Sequence, residues 1–179
     1  KPFDSPEVIA GQGTAALEAI KSIEFQDKFF DAAIICASGG GLAAGSSIAL
    51  KKHNPNCEIY TAEPTQWNDH ELSFEANERI FIKNSMHGIC DALESPSPGE
   101  ITFEINNKNN VKGLSVDDKA IFHAMKFAYQ EFNFILEPSG AIALACLMSS
   151  RSAFEGKKVL ILLSGGNISE EKFQKYISI

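Results

Sequence analysis

What this 179-residue sequence lacks narrows its function before any motif is considered. It has no Cys-x-x-Cys pair. Cys36, Cys57, Cys90 and Cys146 stand far apart, two of them inside apolar runs, and read as small buried hydrophobes of a reducing compartment. No Lys/Arg block offsets the net charge of −7, which argues against nucleic acid as a partner. No uninterrupted apolar stretch is long enough to cross a bilayer and no secretory signal is visible, so the expectation is a cytoplasmic protein with no membrane partner. Internal repeats and long low-complexity tracts are absent. So is an initiating methionine: Lys1-Pro2-Phe3-Asp4-Ser5-Pro6 is loop-like and reads as the start of an internal piece of a longer polypeptide, or as a trimmed end. The apolar content of 44% and charged content of 22% are ordinary for a globular chain with a sizeable core.

The chain turns on Ser38-Gly39-Gly40-Gly41-Leu42-Ala43-Ala44-Gly45, which follows the apolar run 32–37. A short β-branched run bounded by glycines predicts a buried parallel strand, and residues 42–52 predict a helix after it. A glycine-rich strand-to-helix turn presents free N–H groups at the positive end of a helix dipole, a ready anion site whose usual guest is phosphate. The alternative is a tight turn with no ligand. Earlier in the chain, Ala10-Gly11-Gln12-Gly13-Thr14 reads as a turn with Thr14 as N-cap of a helix over 15–23, whose apolar positions are Ala16, Leu17, Ile20 and Ile23. His53-Asn54-Pro55-Asn56 breaks the next helix, and 57–63 predicts a second strand, giving a βαβ unit of a parallel sheet.

The stretch 64–112 is less regular, with one strand expected at 100–105 and a solvated loop at Asn106-Asn107-Lys108-Asn109-Asn110. A helix is predicted over 115–132, with Ser115 and Asp118 as a capping box and Ile121, Met125, Ala128 and Phe132 on its core face. His123 on that helix has no second ligand at metal spacing and reads as structural or exposed. Glu137-Pro138-Ser139-Gly140 opens a buried helix over 141–148. Residues 157–163 predict a central strand running into Ser164-Gly165-Gly166-Asn167, and a helix over 169–177 follows. The fold class is therefore α/β, an open and mostly parallel sheet with helices on both faces. Ligands of such sheets collect at the C-terminal strand ends. Three of those ends carry ligand-capable residues: 38–41, Glu63 and 164–167. Glu63 and Asp69 can offer oxygens to Mg²⁺ or Ca²⁺, although spacing alone reads them as two solvated carboxylates.

These residues together resemble the pyridoxal-phosphate-dependent threonine/serine dehydratases, with serine racemase as a relative in the tryptophan-synthase-β-like fold type II. Residues 2–14 resemble the segment before that family's phosphate loop, and 38–45 its tetraglycine loop with Ser38 in place of the first glycine. Ala62-Glu63-Pro64, Ile89-Cys90-Asp91-Ala92-Leu93, Pro98-Gly99-Glu100-Ile101-Thr102-Phe103, Glu137-Pro138-Ser139-Gly140-Ala141 and Leu163-Ser164-Gly165-Gly166-Asn167 follow in family order. The resemblance implies that Ser38, Gly39, Gly40, Gly41 and Leu42 hold the phosphate of pyridoxal 5'-phosphate and that Ser164 bonds its pyridine nitrogen. It also implies a cation, Mg²⁺ or Ca²⁺, on Glu63, the main-chain carbonyl of Trp67, and Asp69.

The family's Schiff-base lysine and its substrate-carboxylate loop lie upstream of the segment that Lys1 matches. No lysine of this chain stands in the family's Ser-Phe-Lys context. The expectation is therefore a C-terminal portion, residues 1–179, that belongs mostly to the large cofactor-binding domain. No catalytic residue is assigned within it, and it is inactive without the N-terminal half. The intact enzyme would eliminate water from a small hydroxy amino acid and form a homo-oligomer. The alternatives are a serine racemase, a hydroxyaspartate dehydratase, or a non-catalytic fragment that binds ligands or pairs with another subunit.

Overall fold

Ala32-Ala33-Ile34-Ile35-Cys36 is buried along its whole length, as expected of a strand covered on both faces. The computed structural model describes residues 3–24, 29–83 and 86–179. Lys1, Pro2 and the Ile23 side chain lie outside that description. Strands β1 (Ala32–Cys36), β2 (Glu58–Pro64), β3 (Lys112–Val116) and β4 (Val159–Ile161) form one parallel sheet in the order β3-β2-β1-β4. Side chains alternate across it. Ala32, Ile34 and Cys36 face a core shared with α6 (Asp118–Phe132), α7 (Pro138–Ser149) and α8 (Glu170–Ile177). Ala33 and Ile35 face a second core with α2 (Thr14–Glu24) and α3 (Gly41–His53). The expected layers, and the β1-α3-β2 unit, are present. Among the described residues no helix is long and apolar enough to cross a membrane.

Several local expectations are overturned. Residues 10–14 are not a turn: Pro6–Gln12 is a helix, α1, started by Ser5 accepting from Val8 N–H and by Pro6 at its first turn. Thr14 does not cap α2, because its hydroxyl donates to the Gly11 carbonyl at 2.7 Å. Glycines in this stretch serve helix contact instead. A Cβ on Gly45 of α3 would lie 2.1 Å from the Ile9 carbonyl oxygen of α1.

Residues 100–105 are helical too, within α5 (Glu100–Lys108). The alternation of Ile101, Phe103 and Ile105 imitates a strand, but the buried positions are Thr102, Phe103 and Asn106, which is helical spacing. Asn106 is thus buried in α5 rather than part of a solvated loop. Ser115 belongs to β3, which the sequence reading missed, and Asp117 is the α6 N-cap, accepting from Ala120 N–H. Phe132 leaves the core face at the end of α6 and is 56% exposed. His123 is exposed, within the expectation for it. Finally, β4 is a half-buried three-residue strand paired with β1 alone, at the end of the sheet order rather than in its centre.

Candidate functional site

Because β1, β2 and β4 are parallel, their C-terminal ends bring residues 38–42, Glu63 and Ser164 to one edge of the sheet. The glycine turn is held by its carbonyls. His70 Nε2 lies 2.8 Å from the Ser38 carbonyl oxygen. The Gly39 carbonyl accepts from Thr102 Oγ1 at 2.6 Å and from Gly99 N–H at 3.1 Å. The Gly40 carbonyl accepts from Ala44 N–H at 2.8 Å. With these acceptors engaged, the polar groups the turn has to offer are the N–H groups of the first α3 turn, which no helical carbonyl can reach. Gly40 sits at φ +93° and caps α3 without a side chain. A Cβ there would be 2.6 Å from His70 Cε1, so glycine is required both by conformation and by the approach of the ring. Phe3, near the start of the chain, packs on Gly39.

One more residue, Asp4, buttresses the turn, and its sequence context gave it no role. The Asp4 carboxylate accepts from the N–H groups of Glu100, Ile101 and Thr102, capping α5 and so fixing the hydroxyl that holds Gly39. The pocket over the turn, about 220 Å³, is lined by Phe3, Gln12, Cys36, residues 38–42 and Leu93 among others, and no lysine among the described residues lines it. Across the β1–β4 pair, exposed Ser164 stands with its Oγ 3.1 Å from Cys36 Sγ. The Ser164-Gly165 turn is in turn held against α7, where Glu137 N–H donates to the Gly165 carbonyl.

Glu63 and Asp69 are not solvated. Both are fully buried, as is His70, the second residue of α4 (Asp69–Ala76). The Glu63 carboxylate accepts from His70 and Glu71 N–H at 2.8 and 2.9 Å. Burial, then the charge of Asp69, holds its carboxyl pKa well above the usual carboxylate range. Burial raises Asp69 to about 8, and neither of its oxygens has a hydrogen-bond partner among the described residues. His70, pushed down to about 4 by burial, is neutral. One donor atom from each of Glu63, Asp69 and His70 lies within 4.8 Å of the other two. Orphaned carboxylate oxygens beside a second buried carboxylate are a donor set that fits a divalent cation. Trp67 lies in the 3-10 turn Thr65–Trp67 between the two acids, and its ring N–H donates to the Met86 carbonyl.

The sequence matches the family model described as pyridoxal-phosphate dependent enzyme over residues 1–165. It is 32% identical over 177 residues to serine racemase of Schizosaccharomyces pombe, covering 99% of this chain and 53% of that protein. It is 34% identical over 177 residues to L-threo-3-hydroxyaspartate ammonia-lyase of Saccharomyces cerevisiae, again covering 99% and 53%. The processed form of threonine deaminase isoform 2 from Solanum lycopersicum matches at a TM-score of 0.90 and 30% identity, over 99% of this chain and 48% of that one. The chain spans about half the length of the curated relatives it matches. Its parallel sheet with helices on both faces is the fold type II that these structures share. In sequence and in fold, the chain belongs to the family of pyridoxal-phosphate dependent enzymes.

Proposed function

We propose that residues 1–179 are the cofactor-cradling portion of a threonine/serine dehydratase, which removes water from a hydroxy amino acid to give a 2-oxo acid and ammonia. The observation that carries this reading is the turn at 38–42. Its carbonyls are tied to His70, Gly99, Thr102 and Ala44, so its N–H groups are left for an anion at the α3 N-terminus. On this reading Ser38, Gly39, Gly40, Gly41 and Leu42 bind the cofactor phosphate and Ser164 meets the pyridine nitrogen. The cofactor, when bound, supplies the electron sink for chemistry at the amino acid α-carbon. Ser164, a neutral hydroxyl, does not force protonation of the ring nitrogen. That restrains the sink and favours β-elimination.

Glu63, Asp69 and the Trp67 carbonyl hold a divalent cation that neutralises two buried carboxylates, a role supported by the unpartnered oxygens of Asp69. No lysine of residues 1–179 stands in the family's Ser-Phe-Lys context, which supports a division of labour in which the imine-forming lysine comes from outside these residues. Residues 1–179 alone are then inactive. The whole protein is a cytoplasmic homo-oligomer, and four free buried cysteines support the reducing compartment.

The likeness to a serine racemase and to a hydroxyaspartate ammonia-lyase supports a second reading in which the same cradle serves those reactions. The test is to incubate the whole protein that carries this chain with L-threonine, L-serine and L-threo-3-hydroxyaspartate. Ammonia with the matching 2-oxo acid is measured together with D-serine. Release from threonine or serine is expected; D-serine alone favours the racemase, and no product from any of the three rejects the enzyme reading.

A further inference from the structure

The third member of the buried cluster is a nitrogen donor, and its chemistry differs from that of the two acids. His70 Nε2 sits 2.8 Å from the Ser38 carbonyl, which can only accept, so Nε2 carries the ring proton. In the neutral ring Nδ1 is then an unprotonated lone pair, fully buried and without a hydrogen-bond partner among the described residues. Both Asp69 oxygens are in the same condition. Each such orphan carries a desolvation penalty that a ligand would relieve. Two donors on one ion at about 2.1 Å each stand at most about 4.2 Å apart. One donor atom from each of Glu63, Asp69 and His70 lies within 4.8 Å of the other two, and three donors sharing one ion stand about 3.0–3.6 Å from one another, so closing on an ion draws the pairs together by up to about 1–2 Å.

We propose that His70 Nδ1 is a ligand of the cation held by Glu63 and Asp69, and that the site consequently selects Mn²⁺, Co²⁺ or Zn²⁺ over Mg²⁺ and Ca²⁺. The inference rests on the cation reading given above and adds a ligand to it. Imidazole suits transition ions, whereas oxygen-only sets suit Mg²⁺ and Ca²⁺. A ligating histidine characteristically donates its other ring N–H to a backbone carbonyl or carboxylate, which fixes its tautomer. The Nε2–Ser38 bond already has that form. Ser38 opens the anion turn and His70 packs on Gly40, so an ion on Nδ1 locks the tautomer that pins the turn. The cation and the anion cradle are thereby coupled through one ring, and each strengthens the binding of the other.

The experiment loads the metal-free whole protein with Mn²⁺ and records pulsed electron paramagnetic resonance. A directly coordinated ¹⁴N coupling is expected, with Mn²⁺ held at least tenfold more tightly than Mg²⁺ or Ca²⁺. Asp69→Asn abolishes Mn²⁺ binding, while His70→Gln removes the ¹⁴N signal and weakens binding about tenfold or more. The wild-type spectrum decides the point even if His70→Gln fails to fold. Asp69-dependent Mn²⁺ binding without a nitrogen coupling overturns the His70 assignment and leaves the cation reading standing. No Mn²⁺ retained by the wild type overturns both.

Discussion

Gly40 shows how much one missing side chain can decide. Its φ of +93° already disfavours any L-residue, and a Cβ would meet the His70 ring. Gly40→Ala is expected to cost about 1–2 kcal/mol from the left-handed backbone alone. It should also weaken binding of inorganic phosphate about tenfold or more, by displacing the turn. Urea unfolding and a phosphate titration measure the two effects, and unchanged phosphate affinity would refute the anion reading of the turn. At Asp69, burial sets the pH response. Folding raises its carboxyl from 3.8 to about 8, and Glu63 moves in the same direction, so above pH 4 the folded state holds protons that the unfolded chain has released. Stability therefore falls as pH rises toward 8. His70 opposes this only below its ordinary 6.5, because its folded value is lowered to about 4. The window free of His70 is thus pH 6.5 to 8, where His87, raised by Glu94, contributes in the same direction to wild type and variant alike. Metal-free wild type should lose stability across it, and Asp69→Asn should lose much less, ending roughly 1–3 kcal/mol above wild type at pH 8. Equal slopes in denaturant melts at the two pH values would show that Asp69 is already ionised in the fold.

At the scale of elements, α1 and α3 meet backbone to backbone, which explains glycines that look like turn formers in one dimension. For Gly45 two effects compete. Alanine gains about 0.5–1 kcal/mol in a helix interior, but its Cβ would lie 2.1 Å from the Ile9 carbonyl, and such overpacking costs typically about 1–3 kcal/mol. The clash wins, so Gly45→Ala should lower the thermal midpoint; a rise would mean that α1 can move away freely. The same packing logic governs α5. Its alternating apolar residues predict a strand, yet Asp4 supplies acceptors to three of its first N–H groups from nearly a hundred residues away. A cap delivered through space leaves no local trace, so the period-two pattern misleads. β3 was missed for a related reason. Lys112-Gly113-Leu114-Ser115-Val116 is a weak strand by propensity, made by pairing with β2 and by Glu71 approaching Gly113.

Over the whole molecule, the two cores flank one sheet and share little, so damage to each should be independent. Ile20→Ala on the α2 side and Ile142→Ala on the α7 side are each expected to cost about 2–5 kcal/mol. Together they should add to within about 0.5 kcal/mol in equilibrium unfolding. A strongly non-additive pair would mean that the sheet transmits strain between its faces. The layered α/β class, the strand-turn-helix unit around Gly39-Gly40-Gly41 and the family likeness are all legible in one dimension. All of these rest on local signals: apolar runs, glycine at a strand-to-helix junction, and short motifs in order. That Glu63 and Asp69 are buried rather than solvated, that His70 joins them, and that Asp4 and Thr102 hold the turn emerges only when the chain is folded. Each of those facts depends on segments distant in the chain closing over one another, and burial and through-space hydrogen bonds are not written into residue spacing.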